Sequence, residues 1–159
     1  MRYEAIIDRP VTTPRLFSSR LPLDEDIAEA MKSMVRADVS RVVPQLQALK
    51  KFGANWDDRG SAAANPAAID RAIGVLDTHA LQVREAGLPW RDPHVSLNED
   101  GDVAFEWWNG TKKLTLYVTS QQIDFVSSWG PDVDQQMHAG TLNGELLKLW
   151  RWFVEPADQ

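Results

Sequence analysis

Cysteine is absent from the 159 residues, and so is any long apolar run. Without cysteine the chain has no thiol nucleophile, thiolate metal site or disulfide, so His, Asp and Glu remain as its strong metal ligands. No stretch reaches the roughly 18 apolar residues that cross a bilayer, and the first residues lack the apolar run of a signal peptide. We therefore expect a cytoplasmic protein without a membrane span.

Basic residues are in deficit: 17 Lys and Arg stand against 23 Asp and Glu, a formal net charge of -6. The deficit is concentrated after residue 53, where eight basic residues face sixteen acidic ones. Nucleic-acid binding depends on clustered Lys and Arg, so this composition argues against a duplex-binding role and against anionic membranes. It favours a basic protein as partner.

Signatures of catalysis and of bound cofactors are missing as well. The three histidines, His79, His94 and His138, do not stand at metal-ligand spacing from one another. The sequence also contains no phosphate-binding glycine loop and no Gly-x-Ser-x-Gly elbow. We predict a protein that is not an enzyme and holds neither cofactor nor metal.

The first third of the sequence changes character at Asp24. Residues 1–23 contain three prolines and many turn formers, which predicts an extended N-terminal arm. From Asp24 an apolar stripe at helical spacing runs to Leu49, and Pro44 either kinks one helix or lies in the first turn of a second. We expect an arm, 1–23, followed by one domain, 24–159.

Two further helices have recognisable starts. Asn65 is predicted to cap a helix that Pro66 opens, since proline suits the first helical position. A last amphipathic helix is predicted within residues 142–153, with Thr141 or Asn143 as its cap.

Between residues 94 and 129 apolar residues alternate with polar ones, which predicts four antiparallel strands in a meander. Three turns are expected to connect them: Glu99-Asp100-Gly101, Asn109-Gly110 of type I′, and Ser120-Gln121. The acidic segment after Pro131 is expected to be a loop. The fold class predicted is α+β, with two layers and helices packed on one face of a four-stranded sheet.

The Asn109-Gly110 turn implies a register in which Phe105 lies opposite Leu114, so that apolar residues meet on one face. Glu106 and Lys113 then lie opposite each other on the polar face. This arrangement predicts a cross-strand ion pair that contributes a few tenths of a kcal/mol.

One side of the predicted sheet faces away from the apolar core. We call it the open face; it carries Ala104, Glu106, Trp108, Thr115, Tyr117, Asp124 and Val126. Trp108 beside Tyr117 would be an unfavourable pair to leave in water, and both residue types are enriched in interface cores. The open face is therefore expected to bind a partner, unless the arm or the helix that contains Pro44 covers it.

The most distinctive segment, 53–66, reads GANWDDRGSAAANP. It resembles, together with later residues, the pattern of a widespread family of short bacterial proteins; the matching residues are Trp56-Asp57-Asp58, Gly60, Ala62, Pro66, Asn98-Glu99-Asp100-Gly101 and Phe105-Glu106-Trp107. In that family Gly-Trp-Asp-Gly, Gly-Ala and Pro precede a helix, and a Pro-Asp-Gly turn leads into a Leu-Glu-Trp strand. Asn55, Asp58 and Glu99 stand where the family has Gly, Gly and Pro.

The resemblance covers about residues 45–154 and implies no particular activity. Asp57 and Asp58 in this segment either clamp a cation or an arginine, or they belong to a connector between helices. In the second case Trp56 packs beneath the sheet.

The leading hypothesis is a non-catalytic protein-binding module, of the kind found among bacterial antitoxins, immunity proteins, phage-type inhibitors and secretion chaperones. Its expected contact residues are Trp108, Tyr117, Glu106, Asp124, Asp57 and Asp58. One alternative is a metal-dependent hydrolase that uses Asp57, Asp58, Asp92 and His94. Another is a structural subunit that forms a homodimer through its arm or a sheet edge.

Overall fold

The structure, a computed structural model, describes residues 20–156, with side chains from Asp24 onward. The chain divides into two compact units, 1–34 and 35–159, and the sheet lies wholly in the second. The helices described are α1 (Arg20–Val39), α2 (Val42–Leu49), α3 (Pro66–Glu85) and α4 (Leu146–Val154). The strands are β1 (His94–Leu97), β2 (Val103–Asn109), β3 (Lys112–Val118), β4 (Ile123–Ser128) and β5 (Met137–Thr141).

Most of the predicted arm, residues 1–19, lies outside the described residues. Helix α1 begins at Arg20 rather than at Asp24. It ends at Val39, and α2 starts at Val42, so Pro44 lies in the first turn of a second helix, as one of the two alternatives predicted.

The five strands pair antiparallel in chain order, β1-β2-β3-β4-β5. The α+β class is confirmed, whereas the prediction of four strands is wrong. The additional strand, β5, lies in the segment that was expected to be an acidic loop, and it pairs with β4 from Ser128↔Met137 to Asp124↔Thr141. β5 is the last strand in this order and therefore forms one edge of the sheet, and all five of its residues are exposed.

Two of the three predicted turns are confirmed. Leu97 pairs with Val103 across Glu99-Asp100-Gly101, and Val118 pairs with Ile123 across Ser120-Gln121. Both loops have the predicted length, which fixes the registers of β1 with β2 and of β3 with β4.

The predicted register between β2 and β3 is wrong. The two-residue loop is Gly110-Thr111, so Phe105 lies opposite Leu116 and Trp108 lies opposite Lys113. Gly110 has φ +62° and Thr111 does not have a positive φ, which is the type II′ rather than the type I′ pattern. Each strand shifts by one residue, and the two shifts together keep the same residues on the core side.

The helix starts are confirmed for α3 only. The side chain of Asn65 accepts a hydrogen bond from Ala67 N at 3.1 Å, and Pro66 is the first helical residue. Helix α4 begins at Leu146 after Glu145, which provides no side-chain cap, and Thr141 belongs to β5, so the predicted caps Thr141 and Asn143 are wrong. None of the helices in the described part of the chain has both the length and the apolar character that crossing a bilayer requires.

The core lies between the sheet and helices α2, α3 and α4. Helix α3 contacts β2 and β3, α4 contacts β3 and α3, and α2 contacts β1 and α3. The largest fully buried side chains include Leu46, Ile69, Leu76, Phe105, Leu114, Leu116, Trp150 and Phe153. Helix α2 therefore packs on the core side of the sheet and leaves the open face uncovered.

The β2–β3 hairpin caps the C-terminus of α4, where the last carbonyl groups lack helical partners. Lys112 Nζ donates to the carbonyl oxygens of Trp152 at 2.7 Å and Glu155 at 2.9 Å, and it lies 5.2 Å from the centre of the Trp152 ring. Asn109 Nδ2 donates to Phe153 O at 2.7 Å. Asn109 thus serves as a helix cap and not as a turn residue.

We expect Lys112→Met to lower the free energy of unfolding by about 2 kcal/mol, because two charge-assisted hydrogen bonds to carbonyl groups at the C-terminus of α4 are lost while most of the apolar part of the side chain is kept. The matched control is Lys113→Met: Lys113 is partly exposed and pairs with Glu106, so its loss should cost less than about 1 kcal/mol. Urea unfolding of both variants measures the difference. Equal costs for the two lysines would contradict the capping role.

Candidate functional site

The open face is an array of three rows, two of which cross all five strands and one of which crosses β2 to β5. The row at one end contains Ser96, Ala104, Tyr117, Asp124 and Thr141. The middle row contains His94, Glu106, Thr115, Val126 and Ala139, and the other end contains Trp108, Lys113, Ser128 and Met137. The seven residues predicted for this face all lie on it, because the register shift between β2 and β3 preserves the face of every side chain.

Trp108 is the most exposed aromatic side chain of the open face, with 53% of its surface accessible. Lys113 Nζ lies 5.1 Å from the centre of its ring, and Lys113 is also paired with Glu106 at 2.6 Å. The predicted ion pair is present, although Glu106 lies diagonal to Lys113 rather than opposite it. This cation–π contact restricts the indole ring, and about half of the Trp108 surface stays accessible.

Tyr117 and Asp124 lie opposite each other at the other end of the open face. Tyr117 is 36% exposed. The Asp124 carboxylate accepts hydrogen bonds from Thr141 Oγ1 at 2.8 Å and from Gln122 Nε2 at 3.0 Å. These contacts fix the position of the Asp124 carboxylate on the open face.

The prediction that Trp108 lies beside Tyr117 is wrong. Trp108 faces Lys113, and Tyr117 is four residues further along β3, a separation of about 13 Å. The middle row lies between them, with Glu106 on β2 opposite Thr115 on β3. The open face therefore has a large aromatic residue at each end.

Asp57 and Asp58 lie on a different part of the molecule, in the loop between α2 and α3. The Asp57 carboxylate accepts hydrogen bonds from Ser61 Oγ at 2.6 Å and from Arg59 N at 3.0 Å. The Ser61 hydroxyl holds the pKa of Asp57 below its usual value. Asp57 thus stabilises its own loop, while Asp58 is exposed.

Two residues of this loop, Asn55 and Asp58, have a left-handed backbone conformation. Asn55 has φ +60° and Asp58 has φ +59°. Glycine adopts the left-handed region freely, and Asn and Asp are the other residues that tolerate it best. Asn55 and Asp58 are therefore residue types suited to these two positions.

The two separated motifs of the resemblance contact each other. Ala62 N donates to Glu99 O at 2.8 Å, and Asn65 N donates to Gly101 O at 2.9 Å. Gly101 has φ +80°, and a β-carbon there would overlap the carbonyl group of Ala63. The loop before α3 and the β1–β2 turn thus form one structural unit, and Trp56 packs against the edge of the core from it.

The residues of the predicted hydrolase site are not assembled. The Asp92 carboxylate accepts a hydrogen bond from Trp90 Nε1 at 3.0 Å, and the His94 ring lies 6.3 Å from that of Trp108. Between residues 20 and 156 no group of three or more His, Asp or Glu side chains is arranged to hold a metal ion.

His79 is a buried residue that sequence reasoning placed only within a helix. Its side chain is 2% exposed. The centre of its ring lies 4.8 Å from the ring centre of Trp150, 5.7 Å from that of Trp90 and 6.3 Å from that of Trp107. Neither ring nitrogen has a hydrogen-bond partner in the described structure. Burial lowers the pKa of His79 to about 4, so the imidazole is neutral at pH 7. The available signal was its position three residues after Leu76, on the apolar stripe of α3.

Comparisons of the chain with protein-family models, with curated proteins and with solved structures find no match.

Proposed function

We propose that this protein is a non-catalytic binding module that uses the open face to bind a protein partner. The observation that carries the proposal is the exposed Trp108 on a sheet face that α2, α3 and α4 leave uncovered. An antiparallel sheet commonly has one solvated face, and that face is then expected to be polar. Trp108, Tyr117 and Met137 depart from that expectation, and each is more than a third exposed.

The shape of the open face favours a macromolecule over a small ligand. Small ligands bind in concave pockets that enclose most of their surface, whereas a sheet presents a broad and shallow surface. Trp and Tyr are the residue types that contribute most often to the binding energy of protein interfaces. Trp108 and Tyr117, about 13 Å apart, are spaced to act as two anchors on one partner.

The charge of the protein indicates the chemistry of the partner. Glu106 and Asp124 project from the open face, and residues 54–159 contain twice as many acidic as basic residues. A partner with basic residues around its contact surface would be attracted over a distance of roughly 10 Å at moderate salt. Association should therefore slow as the ionic strength rises.

We expect Trp108→Ala and Tyr117→Ala each to raise the Kd for the partner by about 30-fold or more, which corresponds to roughly 2 kcal/mol. Affinity purification from the native cell extract identifies a protein that the wild type retains and Trp108→Ala does not. Titration of that purified partner then gives the Kd values. The control variant is Phe52→Ala, which removes an aromatic ring that is 42% exposed and lies outside the open face.

Partner binding that is equal in the wild type, Trp108→Ala and Tyr117→Ala would contradict the proposal. A wild-type protein that recovers only itself, and that is dimeric in light scattering, would favour self-association instead. The exposed β5 edge would then be the surface to test.

A further inference from the structure

Strand β5 forms an open edge of the sheet. All five of its residues are exposed, and between residues 20 and 156 only β4 pairs with it. The opposite edge of the sheet, β1, is contacted by α2. An uncovered edge strand presents unpaired N–H and C=O groups to which a further strand can hydrogen-bond. The two edges of this sheet therefore differ, and β5 is the one that is free to pair.

The sequence of β5 contains none of the features that normally prevent such pairing. Proteins protect their edge strands with charged side chains, with proline, or with bulges that bend the strand. Strand β5 reads MHAGT, without Lys, Arg, Asp, Glu or Pro. Its pairing with β4 is continuous from Met137 to Thr141, so it also has no bulge. This edge is thus suited to pairing with another strand.

The hydrogen bonds that flank β5 show which of its backbone groups are unpaired. Trp129 N donates to Gln136 O at 3.0 Å, and Leu142 N donates to Ile123 O at 2.8 Å. In an antiparallel pair every second residue bonds to the neighbouring strand, so the even-numbered residues of β5 bond to β4. The N–H and C=O groups of the odd-numbered residues point away from β4; these residues are Met137, Ala139 and Thr141.

Two copies of β5 are complementary to each other in this pattern. When they pair antiparallel about a two-fold axis at Ala139, Ala139 lies opposite itself and Met137 lies opposite Thr141. These are the residues whose backbone groups point outward. Every outward N–H and C=O group of one β5 therefore meets a group of the other that can pair with it.

The side chains fit the same pairing. On the core side of the sheet His138 of one copy lies opposite Gly140 of the other, in the type of pair whose Cα atoms are only about 4.5 Å apart. The imidazole ring thus meets a residue without a side chain. Within one copy the Phe125 ring already lies over Gly140, where a β-carbon would meet it at 3.2 Å. An aromatic ring packed on an edge glycine is an arrangement that stabilises sheets.

Charge also favours a second copy at this edge. Two molecules of net charge -6 repel each other, so self-association requires a contact surface without like charges. In the pairing about Ala139 no charged residue of either β5 faces another. A foreign strand would find no charge on β5 to select it, whereas β5 matches itself in hydrogen bonding and in side-chain size.

We propose that β5 pairs with β5 of a second copy of this chain, which joins two five-stranded sheets into one continuous sheet. The dimer is closed, because each copy uses the same edge. The two-fold axis is perpendicular to the sheet, so the open faces of both copies lie on one side and stay uncovered. The proposal does not rest on the proposed function, since Trp108 and Tyr117 lie on β2 and β3.

The test is sedimentation equilibrium of the full-length protein between about 5 and 500 μM, because a contact between two short strands is small and its Kd is expected on the order of 10 to 100 μM. Ala139→Lys and Ala139→Glu should each raise the Kd by about 10-fold or more, since like charges then meet at the two-fold axis. An equimolar mixture of the two variants should dimerise at least as tightly as the wild type, because opposite charges meet. Recovery in the mixture also shows that both variants are folded.

The matched control is Ala67→Lys, the same substitution at an exposed position of α3, which should dimerise like the wild type. Trp108→Ala should also dimerise normally, which separates this proposal from the partner site. A wild type that is monomeric at about 500 μM would overturn the proposal, even if Ala139→Lys lost a partner protein, because the edge would then serve a foreign strand. Dimerisation of Ala139→Lys like the wild type, or no recovery in the mixture, would equally overturn it.

Discussion

Acidification from pH 7 to pH 4 is expected to lower the free energy of unfolding by about 3 kcal/mol through His79 alone. Burial among three tryptophans lowers the pKa of His79 from 6.5 to about 4. In the unfolded chain the imidazole is in water and takes up its proton near pH 6.5. Each unit of difference between the two pKa values corresponds to about 1.4 kcal/mol.

The sign follows from which state binds more protons. Between pH 6.5 and pH 4 the unfolded chain holds the proton on His79 and the folded protein does not. The stabilising contribution is therefore complete above pH 6.5, falls as the pH falls, and reaches its lower limit below pH 4. Protonation in the folded state would place a cation among tryptophan rings, where burial disfavours the charged form.

Urea unfolding of the wild type and His79→Leu across this pH range separates the contribution of His79 to the pH dependence of stability from that of the carboxylates. We expect the variant to lose about 3 kcal/mol less than the wild type between pH 7 and pH 4. At pH 7 it should be at least as stable, because an unsatisfied buried polar group is removed. His138→Leu is the control, since His138 is exposed on β5 and its variant should follow the wild type. If the free energy of unfolding falls equally with pH in the wild type and in His79→Leu, His79 is not the source of the pH dependence.

The sequence predicts local structure well where the residues that determine the conformation lie within the same short segment. Asn65 and Pro66 start α3 through a side-chain hydrogen bond and a restricted φ, and both lie within two residues of the helix they start. The Glu99-Asp100-Gly101 turn is similar, because Gly101 supplies the left-handed residue that the loop needs. Neither feature depends on the rest of the fold.

The predictions fail where a distant segment of the chain determines the local conformation. Asn109-Gly110 has the composition of a type I′ turn, but the Asn109 side chain binds Phe153 O, 44 residues away. Lys112 likewise binds carbonyl groups at the end of α4. These contacts accompany a hairpin whose loop is displaced by one residue, and no local pattern in the sequence reports them.

Strand β5 is missing from the sequence-based prediction for a different reason. All five of its residues are exposed, so its sequence lacks the alternation by which a half-buried strand is recognised. It also follows an acidic turn in which Asp132 Oδ1 accepts hydrogen bonds from Asp134 N and Gln135 N. That segment has the composition of a loop, and only pairing with β4 makes its end a strand.

The open face was predictable as a set of residues but not as an arrangement. The side on which a strand residue lies depends only on alternation, whereas its neighbours depend on register. The aromatic surroundings of His79 could not be predicted from the sequence, because Trp90, Trp107 and Trp150 come from a loop, β2 and α4. Nothing in their spacing along the chain brings them together.

Truncation of Trp150 to alanine is expected to lower the free energy of unfolding by about 3 to 5 kcal/mol, the range measured for large buried aromatic residues. Trp150 is 0% exposed, and its Nε1 donates to Pro89 O at 3.1 Å. The centre of its ring lies 5.9 Å from the ring centre of Trp90 and 5.3 Å from that of Trp107. The substitution removes a hydrogen bond and leaves a cavity where α3, α4 and the sheet meet.

Trp108→Ala provides the matched comparison, because it deletes the same side chain from a position that is 53% exposed and outside the core cluster. It should lower the free energy of unfolding by about 1 kcal/mol or less, since no cavity forms and the lost contact with Lys113 is at the surface. Urea unfolding at pH 7 measures both variants. A cost of Trp108→Ala close to that of Trp150→Ala would mean that the open face is a second core, and the proposed partner site would then be wrong. A small cost together with lost partner binding is the result that a binding surface requires, because such a surface contributes its energy to the complex and not to the fold.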